Sequence, residues 1–100
     1  MASRPPSRAV LAASVSIGEQ LVSWRKLLGL TAAQVADRAG IARGTLAHLE
    51  HGDGSISLAG FLAVTAALGQ LDRVVTATDP YETDLGRIRA DEILPKRVRR

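Results

Sequence analysis

Residues 31–52 read Thr-Ala-Ala-Gln-Val-Ala-Asp-Arg-Ala-Gly-Ile-Ala-Arg-Gly-Thr-Leu-Ala-His-Leu-Glu-His-Gly, and the fold turns on this stretch. Thr31 with Gln34 three residues later is a capping box: each side chain bonds the other's backbone N–H and opens a helix. Val35, Ala36 and Ala39 then share one face of a short helix over 32–39. Gly40 stands where the chain must turn, because glycine takes a positive φ at no steric cost. Ile41, Leu46 and Leu49 resume helical spacing through about 43–51, and Gly52 stops it. Ala36 is small enough for the two helices to cross closely.

Helical signals continue on both sides. Ser16 and Glu19 form a second capping pattern, followed by Leu21, Trp24, Leu27 and Leu28, and Gly29 ends a predicted helix over 17–28. Ser57 caps a fourth helix with Leu58, Phe61, Leu62, Thr65 and Leu68 inward, up to Gly69. Leu71, Val74 and Val75 suggest a fifth. Asp79-Pro80-Tyr81-Glu82 joins an N-cap, a proline at the first helical position and a glutamate three after the cap. It predicts a further helix with Tyr81, Leu85 and Ile88, or, given Gly86, an extended segment from Leu85. Residues 1–15 are proline- and serine-rich at their start and read as a flexible arm. No strand alternation and no repeat is present. The expectation is an all-α chain in three parts: an arm over 1–15, a domain over 16–78 and a C-terminal extension over 79–100.

Composition narrows the function. One hundred residues suffice for a single core. The absence of cysteine excludes disulfides and thiolate metal sites and suits a cytoplasmic protein. No apolar run approaches the roughly 20 residues of a membrane span, so no membrane partner is expected. Three aromatics (Trp24, Phe61 and Tyr81) supply little surface for stacking single-stranded bases. The net charge is +3 and the isoelectric point about 10.2, which points to an anionic partner. Residues 16–78 carry five bases and five acids, so the excess lies at the ends, with Lys96, Arg97, Arg99 and Arg100 in the last five positions.

Helix, glycine turn and helix over 32–51 make a helix-turn-helix. Its outward side holds Arg43, Gly44, Thr45, Ala47 and His48, small or polar residues suited to entering a major groove. Residues 21–71 resemble the phage-repressor helix-turn-helix family of XRE or Cro type. The resemblance rests on Leu21-x-x-x-Arg25, Gly29-Leu30-Thr31, Val35-Ala36-x-x-x-Gly40-Ile41, Thr45-Leu46-x-x-Leu49-Glu50-x-Gly52, Ser57-Leu58 and Ala67-Leu68-Gly69, in register and without a gap.

That resemblance implies a compact five-helix domain that binds duplex DNA as a homodimer, its third helix in the major groove. It assigns base contacts to Arg43, Gly44, Thr45, Ala47 and His48. It assigns phosphate contacts to Thr31, Ala32 and His51, which the basic tail Arg97, Arg99 and Arg100 would supplement. Arg25 and Glu50 match a family ion pair. Arg43 suits bidentate bonds to guanine, and His48 suits donation to a guanine or a phosphate. The sequence departs from the family at Ala32, often glutamine; at Ala42, which offers no capping oxygen; and at Asp53, where a base is common.

The implied role is a DNA-binding transcription regulator, expected to be a repressor, in the cytoplasm and on the nucleoid when bound. Leu71, Val74, Val75, Tyr81 and Leu85 are candidates for a dimer or partner interface. The alternative is an antitoxin that binds a toxin protein and represses its own operon, since the small domain with an added C-terminal segment is similar in plan to HipB-type antitoxins. A neutral core argues against a sequence-neutral architectural binder. No cofactor and no catalysis are expected, because no nucleophile–base pair or phosphate loop is present. His48, His51 and Asp53 superficially suggest a metal, but the histidines are three apart where a helical zinc site uses four.

Overall fold

The computed structural model describes residues 4–94. Its order is α1 (Arg8–Leu27), α2 (Ala32–Ala39), α3 (Arg43–Glu50), α4 (Leu58–Ala67), α5 (Leu71–Ala77), a 3₁₀ turn (Pro80–Glu82) and α6 (Asp84–Ile93). All regular structure among the described residues is helical. No helix among them is long and apolar enough to cross a membrane.

The first helix departs from expectation. Residues 1–15 were expected as a flexible arm, yet α1 begins at Arg8, capped by Ser7, whose hydroxyl accepts the Val10 N–H at 3.2 Å. Ser16 and Glu19 therefore lie within the helix. The local chemistry is clear in retrospect. Pro5 and Pro6 resist helix on the N-terminal side, Ser7 supplies the cap, and the alanines over 9–13 are strong helix formers. The result is 20 helical residues, about 30 Å long.

The next three helices follow their caps. Thr31 and Gln34 complete the capping box, at 3.1 Å from Gln34 N–H to Thr31 Oγ1 and 2.9 Å from Thr31 N–H to Gln34 Oε1. Gly40 closes α2 at φ 70° and ψ 32°, the left-handed geometry that lets the chain re-enter a helix after two residues. Ala42 opens α3 without a side-chain cap. Ser57 caps α4, accepting Gly60 N–H at 3.0 Å.

The C-terminal segment is organised differently from its reading. Asp79 caps only the 3₁₀ turn, and Thr83 begins α6 by accepting Gly86 N–H at 2.9 Å. Gly86 is suited to its place: a Cβ there would collide with the Pro80 carbonyl. Arg87 ties the turn to the helix, donating to the Tyr81 carbonyl at 2.6 Å and pairing with Asp84.

One core joins Leu21 of α1, Val35 and Ala36 of α2, Leu46 and Leu49 of α3, and Val64 and Leu68 of α4. Fully burying a side chain such as Leu46 or Val64 contributes roughly 1.5–3 kcal/mol. Thr65 is buried too, and its hydroxyl donates to the Leu62 carbonyl at 2.8 Å, so that hydroxyl is not stranded. Three residues expected inside are exposed: Leu27, Leu28 and Leu58. Leu27 lies about 120° round the helix from Leu21, off the buried face. Leu28 is already the C-cap. Leu58 occupies the first position of α4, ahead of the turns that face the core.

Glycine lets α1 approach α3. A Cβ on Gly18 would stand 2.6 Å from the Leu49 carbonyl oxygen and 2.7 Å from that of Glu50, so only glycine permits this crossing. A Cβ on Gly52 would likewise be 2.8 Å from Val15 Cα. The first half of α1, absent from the expected fold, thus supports the turn that follows α3.

Candidate nucleic-acid interface

The outward face of α3 carries Arg43, Gly44, Ala47 and His48, all exposed, with Thr45 half-buried beside them. Leu46 and Leu49, on the opposite face, are buried, so the alternation along one short helix separates core from surface. Nothing lies within 4 Å of where a Gly44 Cβ would be, which leaves this part of the face open to close approach.

The far end of α3 is fixed to α1. Arg25 Nε donates to Glu50 Oε2 at 2.7 Å, and Nη2 donates to Oε1 at 3.1 Å. The side chains are only 18% and 10% exposed, so this fork is partly withdrawn from solvent. The Glu50 hydrogen bond is the main cause that raises the arginine pKa above its ordinary value, against a smaller opposing effect of burial. Arg73 sits over the Trp24 ring at 5.9 Å and joins α5 to the same stretch of α1.

At the start of α2, the capping box uses the N–H groups of Thr31 and Gln34. Ala32 is half-buried and Thr31 exposed. The Ala32 and Ala33 N–H groups have no acceptor among the described residues, and they carry the positive end of the helix dipole. His51 follows α3 and is exposed, but its Nδ1 lies 2.7 Å from the Ala47 carbonyl. That oxygen can only accept, so Nδ1 carries a proton, and Nε2 is left facing away from this bond. Arg97, Arg99 and Arg100, expected to add phosphate contacts, lie outside the described residues.

The candidate interface residues divide. Val75 and Leu85 are 61% and 67% exposed, whereas Leu71, Val74 and Tyr81 are half-buried. Val74 borders an apolar groove of about 420 Å³ with Ile17, Leu21, Trp24 and Phe61, so it faces its own domain at least in part.

His48 and Asp53, grouped by the sequence only as a superficial metal pattern, approach each other as a pair. Asp53 Oδ2 stands 3.5 Å from His48 Nδ1, and Asp53 Oδ1 accepts Ser55 N–H at 2.9 Å. The Asp-Gly-Ser turn is legible as an Asx turn from its residues alone. Its approach to His48 depends on how the turn packs. Among the described residues no three histidine, aspartate or glutamate side chains gather as a metal site.

The arrangement is a rigid two-helix unit whose second helix offers a small, mixed polar face, with unpaired N–H groups at the start of the first. A helix-turn-helix family profile matches residues 21–72, just over half of the chain and the same span that builds α2, α3 and their support. Comparison with curated proteins and with solved structures finds no match. The chain belongs to the XRE-type helix-turn-helix family of DNA-binding regulators.

Proposed function

We propose that this chain is a sequence-specific regulator of double-stranded DNA, a repressor acting as a homodimer with α3 in the major groove. The exposed face Arg43, Gly44, Ala47 and His48, on a helix fixed at its far end by Arg25 and Glu50, carries this reading. Arg43 bonds guanine, Gly44 allows close approach, Thr45 flanks them, Ala47 meets a thymine methyl and His48 reads a neighbouring base edge. The N–H groups of Ala32 and Ala33, with Thr31 and His51, hold phosphates, and Arg97, Arg99 and Arg100 add charge. Two copies place their recognition helices about 34 Å apart, one turn of duplex.

Selection of bound sequences from a random duplex pool tests the reading. The full chain should enrich a two-fold motif, and Arg43→Ala should relax one base pair of each half-site at a cost of about 1–3 kcal/mol. An unchanged motif would place the recognition face elsewhere. Removing residues 95–100 should flatten the dependence of binding on salt. Sedimentation of a monomer both free and on DNA would overturn the dimer.

A second reading, the antitoxin, is favoured by α6. Leu85, Ile88 and Ile93 are 67%, 60% and 66% exposed on a helix that the DNA-binding unit does not need. If Leu85→Ser with Ile88→Ser leaves dimer mass and duplex binding unchanged, that face is needed for neither and stays available to another protein. Loss of the dimer would assign it to self-association.

A further inference from the structure

Asp53 is out of place on a face that meets phosphates, since a carboxylate there repels them. Its surroundings suggest a use. Its Oδ1 is held by the Ser55 N–H at 2.9 Å, and Val15 and Ser14 of α1 pack against the glycines on either side. The Ser55 N–H and then the Ser55 hydroxyl hold the carboxyl below the usual aspartate range, against a smaller effect of desolvation. The remaining oxygen, Oδ2, stands 3.5 Å from His48 Nδ1. The cleft that His48 borders is lined otherwise by uncharged groups, among them Thr45, Ser55 and Ser57.

We propose that Asp53 is a positioning residue for His48, holding the imidazole by Nδ1 so that the neutral ring offers Nε2 to the base pair as an acceptor. The inference rests on the DNA-binding reading above and changes one of its terms. The proton on a neutral imidazole goes to the nitrogen facing an acceptor. A carboxylate has no hydrogen to give, so Nδ1 carries the proton. The exposed Nε2 then suits the amino group of adenine or cytosine, not the acceptor edge of guanine. A surface ion pair contributes little to stability. Choosing between two tautomers demands much less of it, and that choice sets which base is read.

Asp53→Asn reverses the logic with little change of shape. The asparagine oxygen keeps the Ser55 N–H and turns its amino group toward His48 Nδ1, which must then accept. The proton moves to Nε2 and the ring becomes an outward donor. Full-length wild type and variant are compared at pH 8.5, above the ordinary imidazole range. Nitrogen-15 spectra of the free proteins should show His48 protonated at Nδ1 in wild type and at Nε2 in Asp53→Asn. Selection from a random duplex pool should show an adenine or cytosine preference at the position that His48→Ala relaxes. In Asp53→Asn this preference should move toward guanine by about tenfold, with the Arg43 position unchanged. Asp53→Ala should weaken the preference without reversing it.

The same tautomer in both proteins, or the same motif from both, overturns the proposal and leaves the DNA reading intact. If wild type enriches no duplex at all, the DNA reading fails and the base-selecting role falls with it.

Discussion

Arg25 and Glu50, 25 positions apart in the chain, meet in a two-pronged hydrogen bond at 2.7 and 3.1 Å that joins α1 to the last turn of α3. The pair orients the helix proposed to read DNA without itself lying on the reading face. Its partial burial places its strength between that of an exposed pair and a buried one. A double-mutant cycle of Arg25→Ala and Glu50→Ala should give a coupling of about 1–2 kcal/mol in denaturant unfolding. A coupling near zero would make the pair ornamental. The raised arginine pKa means that the arginine's part of this contribution is present at ordinary pH values and is lost as pH rises into strong alkali.

Gly18 and Gly44 make opposite predictions from the same substitution. Gly18→Ala drives a Cβ against the carbonyls of Leu49 and Glu50, which are backbone and cannot move aside. It should cost about 1–3 kcal/mol of stability. Gly44→Ala meets open space on a helix and should stabilise by roughly 0.5–1 kcal/mol. It should also weaken duplex binding by filling the gap proposed for close approach. Thermal melts and binding titrations on both variants check the contrast.

Ala42 sits at the N-cap of α3 with extended geometry, φ −69° and ψ 147°, but has no oxygen to offer. Ala42→Ser should therefore stabilise the fold by about 1 kcal/mol. The serine hydroxyl would meet the N–H two or three residues on, as the serine at position 57 does for α4. A melting temperature that does not rise would show that those N–H groups are better served by solvent.

Asp53 has a pKa below its ordinary value because of Ser55. Its stabilising contribution is thus present above the usual aspartate range and lost as pH falls through the lowered folded value. The melting temperatures of wild type and Asp53→Asn should differ near neutral pH and converge as pH drops below about 4. A gap that persists in strong acid would mean the difference comes from shape and not from charge.

The stretch around residues 31–52 was legible because each signal in it acts over three or four residues. The capping box, the glycine turn and the apolar spacing of Leu46 and Leu49 need no distant partner to be read. The glycines at or just after the helix ends and Ser57 were legible for the same reason. The start of α1 was misread although its cap, Ser7 after two prolines, is just as local. Ser16 and Glu19 offered a competing cap, and the alanines beyond it show no amphipathic contrast to mark them as helix.

What only the tertiary structure decided are relations between segments. Leu27 and Leu58 carry the same hydrophobicity as Leu21 and Leu46, yet they are exposed, because burial depends on which neighbour arrives and not on the residue alone. Gly18 is required by the crossing of α1 and α3, and a sequence shows no crossing. Asp53 read as a missing positive charge; its 3.5 Å approach to His48 exists because the turn after Gly52 is packed against Val15. Local hydrogen bonding set the helices, and packing set which of their polar groups meet.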